Sequence, residues 1–238
     1  NIIDIFWQDG NISQDPLFCD YENNDFTLGQ DSPCYQTGED GINMGAEEEY
    51  GCETGQLSPH SGPVWHVATT GSDQDGDGSL TSPYATIQKA INSSYDGTGV
   101  NNRDTIIVQP GLYYETLTTI GKKLFLTSTE GRDSTIIDAD GDGRGFTFNQ
   151  GETAATEISG FTIRNGSTDL GGGIYVANCS PTLSDLIITA NTASGGGGAY
   201  YSNSESEVSN VIIDGNEAAE GGGINLGGGS VSFTNVEV

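Results

Sequence analysis

Two acidic turns contain the residues best suited to bind a metal ion. In each turn, aspartates alternate with other residues and glycine stands at the bends. The six aspartates are Asp73, Asp75, Asp77, Asp138, Asp140 and Asp142. Alternate carboxylates in such a turn can converge on one hard cation, and Ca²⁺ prefers oxygen ligands. Neither turn completes an EF-hand, because no Glu stands at the twelfth position and no helices flank it. Calcium is therefore the candidate cofactor, and ordinary Asp-Gly corners are the alternative.

A second group of residues is suited to bind a ligand on a flat surface. Tyr175 and Tyr200 stand 25 residues apart, and so do Ile187 and Ile212. If these pairs face outward from stacked strands, the tyrosines form aromatic rungs that can receive a sugar ring. The isoleucines form a small apolar patch of the kind that marks contact surfaces. Ladders of like residues also stabilise stacked strands without any ligand, and this alternative stays open.

Residues for catalysis are sparse. A lyase acting on uronic acids needs a basic residue beside acidic ones, and the C-terminal repeats contain Arg164 alone. A glycoside hydrolase needs two carboxylates facing across a groove, whereas Asp185 and Asp214 occupy different positions of the repeat. No Ser-His-Asp arrangement or nucleophile elbow occurs. The sequence favours a function without catalysis.

Charge limits the partners. The 238 residues include 34 Asp and Glu but only 7 Lys and Arg, giving a formal net charge of −27. Such a field repels nucleic acid and anionic membrane surfaces, and it repels polyanionic sugars unless cations intervene. No stretch approaches the ~20 apolar residues that a membrane-spanning helix requires. We therefore expect no nucleic-acid partner and no membrane insertion.

Cysteines cluster near the N-terminus. Cys19, Cys34 and Cys52 lie in the first 52 residues, and Cys179 lies far from them. This distribution favours one disulfide in the N-terminal segment, between Cys34 and either Cys19 or Cys52. Spacing cannot choose among the pairings.

The elements that position these residues follow from an internal repeat. The segments ISGFTIRNG, LSDLIITAN and VSNVIIDGN begin at residues 158, 183 and 208, and the glycine triplets at 171, 196 and 221 keep the same 25-residue step. Apolar residues alternate within each segment, as strands require. No unit contains a helical period of ten or more residues, which excludes βαβ units and leucine-rich repeats. The sequence predicts an all-β solenoid, a parallel β-helix whose right-handed sense follows the usual preference of parallel crossovers.

Aligning the repeats on this step predicts which residues face the core. Each of four sets should form an inward column, in which residues of successive coils lie directly above one another. The columns are Phe161, Leu186, Val211 and Val236; Ile163, Ile188, Ile213 and Val238; Ile174, Ala199 and Ile224; and Val176, Tyr201 and Leu226. Asn191 and Asn216 occupy equivalent corners, where Asn can hydrogen-bond along the stack.

An exposed β-helix end requires a cover. The segment SPYATIQKAINSS predicts one helix over residues 83–94, with Ser82 as its N-cap and Ile87, Ala90 and Ile91 on its buried face. This segment lies within WHVATTGSDQDGDGSLTSPYATIQKAINSS and precedes DTIIVQPGLYYE. Together they resemble the N-terminal motif of pectin-lyase-like right-handed β-helix proteins. The resemblance extends over residues 64–238 and implies the fold; the family includes lyases, hydrolases, adhesins and structural repeats.

The N-terminal segment differs. GNISQDPLFCDYENNDFTLGQDSPCYQTGEDGINMGAEEEYGC is similar to the closing coil of large bacterial surface β-helix proteins. We interpret residues 1–52 as the end of one β-helix unit, 53–63 as a linker and 64–238 as a second β-helix, with regular coils over 158–238. This resemblance implies a secreted, extracellular cell-surface protein.

Two functions follow as hypotheses. The first is a non-enzymatic structural or adhesive module, whose partners are copies of itself or flanking β-helix domains, joined end to end into a fibre or surface array. The alternative is a carbohydrate-active or carbohydrate-binding β-helix, of the lyase or glycoside hydrolase kind, with a surface polysaccharide as its partner.

Overall fold

A computed structural model describes residues 62–95 and 103–238, together with the backbone of two short N-terminal strands. The chain divides into two compact units, Asn1–Ser61 and Gly62–Val238. In the first unit β1 (Phe18–Asp20) pairs antiparallel with β2 (Asp25–Leu28). Cys34, Cys52 and the side chain of Cys19 lie outside the described residues, so the disulfide stays a prediction, as does the assignment of residues 1–52 to a preceding β-helix.

The second unit consists of short strands and one helix. In chain order they are β3 (Val64–Val67), α1 (Ile87–Ser93), β4 (Asp104–Val108), β5 (Gly111–Tyr114), β6 (Leu117–Thr118), β7 (Leu124–Ser128), β8 (Thr135–Asp138), β9 (Phe146–Phe148), β10 (Glu157–Ser159), β11 (Thr162–Arg164), β12 (Ser167–Leu170), β13 (Ile174–Ala177), β14 (Thr182–Ser184), β15 (Ile187–Thr189), β16 (Thr192–Gly195), β17 (Ala199–Ser202), β18 (Glu207–Asp214), β19 (Glu217–Glu220), β20 (Ile224–Leu226) and β21 (Ser232–Glu237).

Parallel pairing arranges these strands into four stacks. The first is β3, β4, β7, β10, β14, β18 and β21; the second is β5, β8, β11, β15 and the C-terminal half of β18. The third is β12, β16 and β19, and the fourth is β6, β9, β13, β17 and β20. Each coil contributes a strand to successive stacks and then returns one level along the axis. The chain is a parallel β-helix, and the predicted fold class is confirmed.

Coil length divides the helix into two regions. Ile158, Leu183, Val208 and Phe233 occupy one column of the first stack at the predicted 25-residue step. Earlier in the same column, Leu126 follows Ile106 by 20 residues and precedes Ile158 by 32. Residues 104–157 therefore form coils of unequal length, which we call the irregular coils; residues 158–238 form the regular coils.

The predicted inward columns form the core. Phe161, Ile163, Ile174 and Val176 are fully buried, as are their partners Leu186 and Ala199 in the next coil. The columns become exposed in the last coil, where Leu226 is 56% and Val238 72% exposed.

Helix α1 covers the core as predicted, but it is shorter. Ile87, Ala90 and Ile91 are completely buried. The helix begins four residues later than expected, and Thr86 rather than Ser82 is its N-cap. The reason is that Tyr84 is extended: its N–H donates to the His66 carbonyl, and its own carbonyl accepts from the Ala68 N–H. Tyr84 thereby extends the pairing of the first strand and delays the helix.

Asparagine ladders run along three corners of the regular coils. At the predicted corner, Asn191 Nδ2 donates to Asn216 Oδ1 over 2.9 Å. Asn203 Nδ2 donates to Asn178 Oδ1, and Asn235 Nδ2 donates to Asn210 Oδ1. The last four residues have positive φ, a conformation that Asn tolerates better than most residues. Repetition thus places the same polar contact in consecutive coils.

Within the part of the chain that the structure describes, no helix is long and apolar enough to cross a bilayer.

Candidate functional site

One outward column crosses the fourth stack. Its members, in successive coils, are Thr118, Thr147, Tyr175, Tyr200 and Asn225. The predicted aromatic pair is brought together: the ring centroids of Tyr175 and Tyr200 are 5.7 Å apart, and their planes differ by 9°. The tyrosines therefore stand as parallel plates on the outer wall of the helix.

Arg144 closes the aromatic stack on the side of the irregular coils. Its Cζ atom lies 4.5 Å from the ring centroid of Tyr175, at cation–π distance. Its Nε donates to the carbonyls of Leu170 and Gly171 at 3.0 and 3.1 Å, and its Nη2 donates to that of Leu170 at 2.8 Å. Its Nη1 lies 3.4 Å from Thr147 Oγ1. Burial lowers the pKa of Arg144, but guanidinium remains charged in proteins. The result is a cation fixed flat against an aromatic ring.

A groove opens beside Arg144, with a volume of about 430 Å³. Its lining is mainly polar, consisting of Thr116, Leu117, Thr118, Asp142, Gly143, Arg144, Thr147, Asn149 and Gln150. Asp142, Asn149 and Gln150 are exposed, whereas Leu117 is almost fully buried. Hydroxyl and amide groups both donate and accept hydrogen bonds. This surface, which we call the Arg144 groove, suits a ligand rich in hydroxyl groups.

The loop between β8 and β9 forms one side of the groove, and the second predicted acidic turn is part of it. Asp138 is buried, and its Oδ2 accepts from Arg164 Nε at 2.8 Å. Its carboxylate also accepts from Asn165 Nδ2 and from the Asp140 N–H. Burial alone would raise the pKa of Asp138, but these hydrogen bonds outweigh it and lower the pKa. The ion pair anchors the loop, and Asp142 reaches the groove.

Close packing brings the same loop into the wall. A Cβ atom on Gly145 would stand 2.8 Å from the Gly173 carbonyl oxygen and would collide with Ile163. Only glycine therefore lets the chain pass between Arg144 and the first residue of β9 at this depth.

The first acidic turn has a structural role at the start of α1. Asp73 Oδ1 accepts from the N–H groups of Ala85 and Thr86, and its Oδ2 accepts from the Thr86 hydroxyl. Asp77 Oδ1 accepts from the Ser79 N–H, and Asp75 Oδ2 accepts from the Ser72 hydroxyl. These contacts direct the three carboxylates to different groups of the chain.

No set of three acidic, histidine or cysteine side chains suited to a metal comes together among residues 62–95 and 103–238. Asp138 is held by Arg164, a cation that would compete with a metal ion for the same oxygens. The residues present do not fit a calcium site, and calcium binding stays a prediction.

The predicted apolar pair lies on another face. Ile187 and Ile212 are register partners on the outside of the second stack, and both are half-buried. In the preceding coil, Thr162 continues this column and is buried because its hydroxyl donates to the Arg132 carbonyl. Arg132 Nη1 in turn donates to the carbonyls of Leu186 and Asn210. The loop containing Arg132 therefore lies against this side of the coils, and a ligand on Ile187 and Ile212 stays a prediction.

Sequence reasoning missed Arg144 and the polar groups around it. The signal was the register of β9 with β13, in which Phe146 pairs with Ile174 and Thr147 with Tyr175. On that register GRGFTF matches GGGIYV, so Arg144 replaces the middle glycine of a triplet. A cation in a position otherwise kept for glycine marks the site, but the unequal coil lengths conceal the match.

Comparisons with known proteins agree on the fold. No protein-family model matches the chain, and no curated protein matches it. The chain is similar to a solved pectin methylesterase in complex with a hexasaccharide, at 15% identity over 62% of this chain and 54% of that one, with a TM-score of 0.41. It is also similar to a rhamnogalacturonan lyase, at 14% identity over 74% of this chain and 56% of that one, with a TM-score of 0.39. The chain thus spans little more than half the length of either. Both likenesses concern the β-helix alone.

Proposed function

We propose that this protein is an extracellular saccharide-binding β-helix module and that the Arg144 groove is its binding site. The observation that carries the proposal is the lining of the groove, in which three threonine hydroxyls and two side-chain amides surround one arginine. Its volume falls within the range of small-molecule sites. The single apolar side chain of the lining is buried, which disfavours an apolar ligand.

The lining favours binding over bond cleavage. Asp142 is the one carboxylate among the residues that line the groove, whereas hydrolysis of a glycosidic bond normally uses two. Arg144 is the one basic residue of the lining, and backbone carbonyls already engage it. A general base needs to be within reach of the proton that it removes. The groove supplies recognition groups in excess of groups for proton transfer.

The test is binding of soluble polysaccharides, measured by affinity electrophoresis and by calorimetry with oligosaccharides. We expect Arg144→Ala to weaken binding by about tenfold or more, because it removes a charged donor and uncovers one face of Tyr175. The double variant Asn149→Ala with Gln150→Ala removes two exposed amides and should weaken binding by a similar factor.

Arg132→Ala is the matched control. Arg132 also joins coils through hydrogen bonds to backbone carbonyls, but it does not line the groove. This variant should keep saccharide affinity at a temperature where it is folded. Equal losses in the Arg144 and Arg132 variants, or unchanged affinity in both groove variants, would contradict the proposal.

The ladders support a second candidate, the structural or adhesive module. Asn191 with Asn216 and Tyr175 with Tyr200 repeat the same contact along the axis, which suits a rigid spacer. End-to-end association with other copies or with flanking β-helix domains belongs to this candidate. Light scattering and electron microscopy test it: filaments or concentration-dependent oligomers support it, and a monodisperse monomer at all concentrations contradicts it.

A further inference from the structure

The charge of the protein and the use of its cations restrict which saccharides the groove can take. All seven Lys and Arg residues lie between residues 89 and 164, against 34 Asp and Glu distributed along the chain. At a net charge of −27 the surface potential opposes any polyanion, most strongly at low ionic strength. A polyuronate could bind only where a local cluster of cations overcame this field.

The cations outside the groove are engaged with the chain itself. Arg103 forms an ion pair with Glu157 at 2.9 Å and lies over the Phe125 ring. Arg164 forms an ion pair with Asp138. The remaining engaged cations act on other parts of the fold, Lys89 over the Tyr84 ring, Lys122 on the carbonyls at the end of α1 and Arg132 on carbonyls of the regular coils. These contacts stabilise the fold and assemble no cationic cluster beside the groove.

Arg144 is the cation of the groove, and its geometry is unsuited to a strong carboxylate contact. The Nε–Nη2 edge of a guanidinium can hold a carboxylate side-on through two parallel hydrogen bonds. In Arg144 this edge donates to the carbonyls of Leu170 and Gly171. One face of the guanidinium lies over Tyr175. What remains for a ligand is the Nη1 end, beside Thr147.

Anionic neighbours offset the charge that remains. Asp142 lines the groove together with Arg144. Asp169 is close enough to interact electrostatically with the guanidinium and to favour its charged form. A ligand carboxylate would therefore compete with two carboxylates of the protein, whereas a sugar hydroxyl can donate to Asp142 and accept from Arg144 at once.

We infer that the Arg144 groove selects neutral saccharides and rejects polyuronates. This inference rests on the proposed saccharide-binding function and narrows its ligand class to sugars that carry hydroxyl groups without carboxylates. Selectivity arises from repulsion as much as from contact, because hydroxyl groups satisfy the lining while a carboxylate meets the field of the protein and the charge of Asp142.

The test compares neutral polysaccharides (xylan, mannan and mixed-linkage β-glucan) with polygalacturonate and alginate, at about 20 mM and about 500 mM NaCl. We expect at least one neutral polymer to bind with an affinity that salt changes less than about twofold, since neutral ligands are not screened. The polyuronates should not bind at low salt. Tighter binding of a polyuronate than of every neutral polymer at low salt would overturn the inference and leave the saccharide-binding function standing. Failure of all polymers to bind would overturn both.

Variants of the β8–β9 loop locate the selectivity. Asp142→Asn should raise the ratio of polyuronate to neutral affinity by about fivefold at low salt, because it removes one negative charge beside the ligand. Asp140→Asn removes the same charge from an exposed position two residues away that does not line the groove, and it should leave the ratio unchanged. The inference is overturned by equal ratios in the two variants, measured after melting curves have shown that both are folded.

Discussion

The irregular coils and the regular coils use the same stacked strands for different ends. In the regular coils, residues 25 apart meet across every strand pair, so like side chains stack and the wall is uniform. In the irregular coils, Phe146 follows its partner Leu117 by 29 residues. The added residues form the loop between β8 and β9, which supplies Asp142 and Arg144 to the groove. Repetition gives rigidity, and its interruption gives a concave surface.

One column shows the contrast residue by residue. Asp138, Arg164, Thr189 and Asp214 occupy equivalent outward positions of the second stack. At the boundary between the regions, Asp138 and Arg164 form a partly buried ion pair that anchors the loop. In the regular coils, Thr189 and Asp214 have no such loop to hold, and Asp214 is exposed. The same place in the coil thus carries a specific contact only where the repeat is broken.

Removing a core side chain from each region should have the largest effect. Phe146→Ala deletes a completely buried ring that stacks on Phe148 at 5.2 Å, and we expect it to lower the free energy of unfolding by about 3–5 kcal/mol. Leu186→Ala, buried in the regular coils, should lower it by about 2–5 kcal/mol. Denaturant titration measures both. Only the Phe146 variant should also weaken saccharide binding, because its neighbour Thr147 lines the groove; loss of binding in the folded Leu186 variant would break the contrast between the regions.

The asparagine ladder should come next. Asn191 is fully buried, its Nδ2 donates to the Ile163 carbonyl and to Asn216, and its Oδ1 accepts from the Gly166 N–H. Asn191→Ala leaves these groups without partners and should lower the free energy of unfolding by about 2–3 kcal/mol. Ser194→Ala, exposed in the same coil, should stay within about 0.5 kcal/mol of the parent protein. Similar values for the two variants would show that the ladder adds no stability.

The ion pair provides a smaller, pH-dependent effect. Asp138→Asn should lower the free energy of unfolding by about 1–2 kcal/mol at pH 7, a value reduced by the partial exposure of Arg164. Because the folded-state pKa of Asp138 is lowered, its contribution is complete above the unfolded pKa of about 3.9 and is lost as the pH falls through the folded value. Asp214→Asn is the control in the same column and should change stability by less than about 0.5 kcal/mol. A difference between parent and Asp138→Asn that persisted at pH 2 would contradict this account.

Chelation should have the smallest effect. Asp73 caps α1 and Asp138 pairs with Arg164, so we expect EDTA to shift the melting temperature by less than about 1 °C. A bound calcium ion would stabilise the folded state by mass action. A large decrease with EDTA that added Ca²⁺ restored would therefore establish a calcium site, and the Asp75→Asn and Asp140→Asn variants would then assign it to one turn.

The 25-residue period by itself determined the architecture of residues 158–238. Stacked strands must place residues one coil apart above one another, so Phe161 over Leu186, Tyr175 beside Tyr200 and Asn191 beside Asn216 follow from counting. The apolar face of α1 was also readable from its spacing, because Ile87, Ala90 and Ile91 share one side of a helix. What repeats in sequence repeats in space, and the buried columns needed no further information.

Only the tertiary structure decided where α1 begins and where the groove lies. The N-cap moved from Ser82 to Thr86 because Tyr84 pairs with β3, a contact between residues far apart in sequence. The aspartates at 138, 140 and 142 look equivalent in the sequence, yet one is buried in an ion pair, one is an exposed bend and one lines the groove. Their separation depends on Arg164 and Asn165 of the next coil. Coils of unequal length have no period from which such neighbours can be counted, so the contacts that make the site are fixed only when the chain has closed each turn.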